Sequence, residues 1–190
     1  EKLLLATGAA PAPYDVAGNS LDGVYFLRTI ADSEAILNDV AEGGKAVILG
    51  GGLVGMKAAD ALNERGMDVT IAIASSQLLS QTMDRYGAEL IRNAVESNGI
   101  HVLTDSPVKE ILGDGHVTGV EFEGGEIIPA DLVILAKGVR PNTILAKTCG
   151  IDVDYGILVD EFMKTSDDDV YAAGDAAEAL DLIRGGKVVH

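Results

Sequence analysis

Gly50, Gly52 and Gly55 stand at the spacing G-x-G-x-x-G, directly after the apolar run Ala46 to Leu49 and directly before a stretch of helical period from Leu53 to Arg65. The chemistry open to such a turn is the capture of a diphosphate. Gly50 permits a sharp bend, Gly52 has no Cβ to hold phosphate oxygens away from the backbone, and Gly55 lets the helix lie close to the strand. Gly51, Leu53 and Val54 complete the turn. The first N–H groups of a helix have no partner within it, and together with the helix dipole they favour an anion. A plain structural turn is the competing reading. Against it, Gly66 is placed to close the helix and Met67 to Ala74 (MDVTIAIA) supplies a second strand, as a dinucleotide-binding βαβ unit requires.

Other groups fall where a nucleotide could meet them. Leu132 to Ala136 is a continuous apolar strand ending at Lys137 and Gly138, so Gly138 lies at a carboxyl end, where ligands of open α/β sheets sit. About twenty residues past the glycines an NAD-specific unit usually carries an acid for the ribose hydroxyls. Here the position holds Ile73, followed by Ala74, Ser75 and Ser76. Ser75 can bond either ribose form or simply begin a loop, so both NADH and NADPH stay open. Gly174 and Asp175 follow the strand Val170 to Ala172; the carboxylate there suits a ribose or ribitol hydroxyl and equally a helix N-cap.

Further chemistry does not assemble. His101, His116 and His190 lack metal-ligand spacing with one another or with Cys149, which reads as a small packing residue. The run Asp167, Asp168, Asp169 reads as a solvated turn, because contiguous carboxylates cannot all face one ion.

The elements that must position these groups alternate. Lys2 to Ala6 is a strand leading into a loop in which Pro11 and Pro13 forbid regular structure. Val24 to Leu27 is a strand, and Ala31 to Val40 a helix capped by Asp32 or Ser33. A helix from Asp84 to Ser97, with Leu90, Ile91, Ala94 and Val95 on its apolar side, precedes the strand Ile100 to Leu103. Pro107 to Leu112, His116 to Glu123 and Glu126 to Pro129 read as an antiparallel meander. Arg140, Pro141 and Asn142 form a loop, Thr143 to Thr148 a short helix, and Gly156 to Val159 a strand. The expected class is α/β: a Rossmann-like domain with a central parallel sheet, helices on one side and a β-meander.

Composition narrows the partners. The chain has 190 residues, 47% of them hydrophobic, enough for a real core in one or two domains. With 30 acidic against 14 basic side chains and a net charge of -16, nucleic acid and anionic membrane surfaces are excluded as partners. An anionic cofactor must then be held more by backbone dipoles than by lysines. No apolar run reaches membrane-spanning length, and a single cysteine fits a reducing, cytoplasmic compartment. Lacking an initiating Met and opening almost on a strand, the sequence reads as a piece of a longer protein.

The segments LLLATGAAP, YFLRTIADSEAI, VILGGGLVGMKAADAL, VILAKGVRPNT and GILVDEFMKTSDDDVYAAGDAAE run in order along nearly the whole length. In them the chain resembles the FAD-dependent pyridine nucleotide-disulfide oxidoreductases, most of all the branch of NADH oxidases, rubredoxin reductases and nitrite-reductase-type proteins. The resemblance implies an NAD(P)H-binding domain over residues 44–140, inserted into an FAD domain of which 1–43 and 141–190 are partial segments. It implies NAD(P)H on Gly50 to Gly55, the flavin nucleotide near Thr7 and Gly8, and the flavin ribitol on Asp175 beside Gly174. Hydride would pass from NAD(P)H to FAD and on to an acceptor that the residues do not name, a redox protein being one class, with no side chain acting as acid or base. Many relatives carry glutamate where Lys57 stands, so Lys57 either approaches phosphate or flavin or points to solvent. Two other readings stay in play: an NAD(P)-sensing module without catalysis, and a flavin-free NAD(P)-dependent dehydrogenase. Strands Lys2 to Ala6 and Val170 to Ala172 would lack part of a complete FAD sheet, so self-association through their edges is expected.

Overall fold

In a computed structural model, residues 1–181 and the strand pair Lys187–Val188 are described. The strands in chain order are β1 (Leu3–Leu5), β2 (Ala9–Pro11), β3 (Val24–Phe26), β4 (Lys45–Leu49), β5 (Asp68–Ala72), β6 (His101–Leu103), β7 (Val108–Asp114), β8 (His116–Phe122), β9 (Ile127–Pro129), β10 (Leu132–Leu135), β11 (Val139–Pro141), β12 (Ile157–Leu158), β13 (Val170–Ala172), β14 (Ala177–Leu180) and β15 (Lys187–Val188). The helices are α1 (Ile30–Asp39), α2 (Leu53–Asn63), α3 (Arg85–Ser97) and α4 (Ile144–Thr148).

Two compact units result, residues 13–138 and residues 1–12 with 139–190. The first is built on a five-stranded parallel sheet in the order β3-β10-β4-β5-β6. Both faces of that sheet are covered, which explains why its central strands are apolar throughout. Period two sorts their side chains: Ala46, Ile48, Leu132 and Ile134 pack under α1, α2 and α3 through Ile36, Ala58, Ala59, Leu62, Ile91 and Val95. Val47, Leu49, Val133 and Leu135 pack instead against Ile111, Val117, Val120 and Phe122 of the antiparallel meander β7-β8-β9. The expected α/β class, with helices on one side and a meander, is the observed one.

Residues 13–43 belong to the compact unit of the central sheet, because β3 pairs in parallel with β10 from Val24↔Val133 to Phe26↔Leu135. The Tyr25 hydroxyl donates to Asp39 and ties β3 to α1. The helix also starts earlier than its acids suggest. Thr29 is the N-cap, accepting from Asp32 N–H at 3.1 Å, while Asp32 accepts from Thr29 N–H at 2.7 Å, so Asp32 is the reciprocal partner in a capping box.

In α3 the apolar side is narrower than its sequence suggests. Ala88 is buried and Ile91 and Val95 pack on the core, but Leu90 and Ala94 are exposed. Helix α2 closes as expected for its glycine: Gly66 (φ +80°) N–H donates to Asn63 and Met67 N–H to Leu62, the paired bonds of a Schellman closure.

In the second unit, β1 and β13 pair in parallel, and β2 pairs antiparallel with β11 from Val139↔Pro11 to Pro141↔Ala9. Prolines therefore do not exclude regular structure here. Pro11 and Pro141 sit at opposite ends of a three-residue ladder, where their missing N–H groups cost little. Cys149 is exposed at the C-cap of α4 and is not a packing residue; α4 buries Ala146. The aspartate run is paired as well as solvated: Lys2 binds Asp169 at 2.6 Å and Lys164 binds Asp168.

Candidate nucleotide site

At the carboxyl end of β4 the chain is pinned from both neighbours. Gly50 N–H donates to Ala72 of β5 at 3.1 Å, and Ala136 N–H beyond β10 donates to Leu49 at 3.0 Å. Gly50 has φ +142°, and a Cβ on it would lie 2.1 Å from the Ala136 carbonyl oxygen. A Cβ on Gly55 would lie 2.2 Å from the Gly50 carbonyl oxygen, so Gly55 allows α2 to start against the turn. Gly51 is closed off by Ile73 and Leu78, each 2.8 Å from where its Cβ would be.

Gly52 differs from the other three. Nothing lies within 4 Å of a Cβ built on it, and as N-cap of α2 it offers no side-chain bond to the helix start. The first helical bond runs from Met56 N–H to the Gly52 carbonyl at 3.0 Å, so Leu53, Val54 and Gly55 present N–H groups without intrahelical partners. Open space in front of an uncapped, 11-residue helix at the carboxyl edge of a parallel sheet fits a diphosphate.

The loop after β5 supports this turn in a way that hydrophobic periodicity did not reveal. Leu78 is buried against Gly51, and Leu79, with φ +51°, donates its N–H to the Gly51 carbonyl at 2.9 Å. A pair of leucines in a serine-rich loop was the available signal. Ser75 is brought to the same edge, but its hydroxyl donates to the Gln77 carbonyl at 3.0 Å and its carbonyl accepts from Asp105. Its proton is thus committed to starting the loop. Lys57 lies on the exposed face of α2. Gly138, exposed, with φ +86° and no atom within 4 Å of a built Cβ, lies beyond β10 at this carboxyl edge.

In the second unit, four further expected residues come together. Because β1 and β13 are parallel, with Leu5 opposite Ala172, Thr7–Gly8 and Gly174–Asp175 both follow carboxyl ends of the same sheet. Ala173 N–H donates to Leu5 at 3.1 Å and holds the two ends in step. Gly8 (φ +65°) and Gly174 (φ +72°) both leave open space. The Thr7 hydroxyl donates to the Asn142 carbonyl at 2.7 Å, and Asn142 returns a bond to the Thr7 carbonyl at 3.0 Å, so Thr7 is held in place by Asn142. Asp175 is the middle residue of a 3₁₀ turn, Gly174–Ala176, whose N-cap is Ala173. The N-cap reading of Asp175 therefore falls away.

Among the described residues no group of three or more His, Cys, Asp or Glu could hold a metal ion, and no helix is long and apolar enough to cross a membrane. His116 Nε2 is 3.1 Å from the Asp131 carbonyl oxygen and His101 is 3.8 Å from Asp68; His190 lies outside the described residues.

Comparison with known proteins bears on the same segments. Residues 1–187 match the family model described as pyridine nucleotide-disulphide oxidoreductase. The chain is 39% identical over 190 residues to the NADH oxidase of Methanocaldococcus jannaschii, covering 98% of this chain and 42% of that protein. It is 35% identical over 189 residues to rubredoxin-NAD(+) reductase of Pseudomonas putida, covering 99% and 49%. The solved NAD-dependent persulfide reductase from A. fulgidus superposes with a TM-score of 0.93 at 34% identity, over 99% of this chain and 35% of that one. The chain spans less than half the length of each.

Proposed function

We propose, from the premise that the chain belongs to the pyridine nucleotide-disulphide oxidoreductase family, that it supplies the NAD(P)H-binding part of a flavoprotein oxidoreductase. The observation that carries this reading is the unfilled space at Gly52 before the uncapped start of α2. When bound, the reduced nicotinamide is the hydride donor and FAD the acceptor. The N–H groups of Leu53, Val54 and Gly55 would hold the diphosphate. Gly50 and Gly55, packed on Ala136, fix the direction in which those amides point. Gly138 leaves the backbone open to the rest of the dinucleotide. Residues 44–140, joined by 13–43, would form the nicotinamide side; Thr7, Gly8, Gly174 and Asp175 would take the flavin nucleotide and its ribitol. Hydride transfer between the two cofactors needs no side chain among the described residues as acid or base. A small redox protein is the acceptor class that the rubredoxin-NAD(+) reductase relative supports, and the single cysteine fits a cytoplasmic setting.

Titration with NADH, NADPH and FAD, each alone, tests the reading. Reduced nucleotide should bind saturably, and FAD more weakly, because residues 1–12 and 139–181 offer it a β1–β13 sheet of only three residues per strand. Failure to bind either reduced nucleotide would refute the function. Self-association belongs to the same reading: Leu3 and Leu4 are 55% and 59% exposed on β1, whose one partner among the described strands is β13. Sedimentation over a concentration series should show dimers or higher species; a monodisperse monomer throughout would contradict it.

A further inference from the structure

Helix α2 carries a cation one turn beyond the amides assigned to the diphosphate. Helical period sorts its side chains: Ala58, Ala59 and Leu62 are buried in the core on the sheet, whereas Leu53, Val54 and Lys57 are exposed. Residues three and four apart on a helix are surface neighbours, so Lys57 stands next to Val54 and Leu53, whose N–H groups have no intrahelical partner. Side chains on a helix lean toward its N-terminus. A four-carbon lysine stem is long enough to span the one turn, about 5.4 Å, between its own backbone and those amides.

No contact within the fold accounts for a charge at this place. Lys57 forms no ion pair or hydrogen bond among the described residues, although acids outnumber bases by 30 to 14 and Lys2, Arg92, Lys109 and Lys164 are each paired with a carboxylate. The first turn of α2 holds no acidic residue, and Gly52 gives it no side-chain cap. A cation near the positive end of a helix dipole is disfavoured unless an anion accompanies it. One anion in front of α2 would answer both the free amides and this ammonium.

We propose that Lys57 is a binding residue for the diphosphate of the nicotinamide dinucleotide, its ammonium reaching back along α2 to join the N–H groups of Leu53 and Val54. This rests on the glycine turn being the diphosphate site. FAD carries the same diphosphate chemistry, so the two cofactors form separate arms of the test.

Affinities for NADH, ADP-ribose and FAD are measured by isothermal calorimetry for the wild-type chain, Lys57→Met and Lys57→Arg, with NADH repeated at several salt concentrations. ADP-ribose keeps the diphosphate and lacks the nicotinamide. Loss of one charge-assisted contact should weaken NADH and ADP-ribose alike by about tenfold in Lys57→Met and flatten the salt dependence, while Lys57→Arg stays within about threefold of wild type. Methionine and arginine are both good helix formers at an exposed position, so neither variant should melt lower than wild type. Undiminished NADH affinity in Lys57→Met would overturn the proposal and leave the glycine turn standing. Weaker NADH binding with ADP-ribose unchanged would also overturn it, moving the lysine to the nicotinamide half. Weaker FAD binding with NADH binding intact would overturn it in favour of the flavin. Equal loss in both variants together with a lower melting temperature would reduce Lys57 to a structural residue of α2. A wild-type chain that binds no NADH would remove the underlying reading as well.

Discussion

A single methyl group separates the glycines of the turn into two kinds. At Gly55 it would meet the Gly50 carbonyl oxygen at 2.2 Å and the Ala136 Cβ at 3.2 Å, and neither is the end of a flexible side chain that could yield. Gly55→Ala is therefore expected to destabilise the chain by about 2 kcal/mol, the scale of overpacking in a closed site, read as a fall in the urea midpoint. A midpoint unchanged within error would show that the turn is looser than described. At Gly52, with φ −81° and open space, the same methyl has somewhere to go. Spacing alone identified both glycines, because each requirement is one of backbone geometry. Ser75 and Asp175 were less legible: a hydroxyl or carboxylate beside a strand end serves loop, cap or ligand equally well, and it is the folded chain that turns Ser75 to Gln77 and leaves Ala173 as the N-cap before Asp175.

Elements were readable wherever period and punctuation agreed. Strand β10 and helix α2 with its closing Gly66 announce themselves, since burial on both faces demands continuous apolar residues and a left-handed C′ position favours glycine. The start of α1 was displaced because Thr29 and Asp32 are both good caps in isolation, and reciprocal bonding decides between them. The β2–β11 ladder was hidden by its prolines, whose exclusion from strands does not extend to ladder ends. Pairing of β3 with α1 carries a pH signature. Burial, then the bond to Asp39, raises the Tyr25 pKa to about 12 from 10.0. The neutral hydroxyl is thus favoured in the folded state, and its contribution is full below pH 10 and lost as pH rises through about 12. Tyr25→Phe should flatten the fall in stability over that window in alkaline denaturation; an unchanged slope would dissociate the hydroxyl from the α1 contact.

At the scale of the molecule, a parallel sheet sealed by helices on one face and a meander on the other leaves its carboxyl edge as the natural ligand position. That edge gathers Gly50 to Gly55, Ser75, Lys137 and Gly138 from three strands separated by up to 88 residues. A net charge of -16 would repel an anionic cofactor at long range, so its affinity would have to come from short-range amide contacts. Binding of NADH to Gly52→Ala, measured by isothermal calorimetry beside the wild type, tests this most directly. The variant should unfold within about 1 kcal/mol of wild type, the cost of alanine at an N-cap, yet bind NADH at least about tenfold more weakly, one charge-assisted contact's worth. Wild-type affinity in a folded Gly52→Ala chain would contradict it.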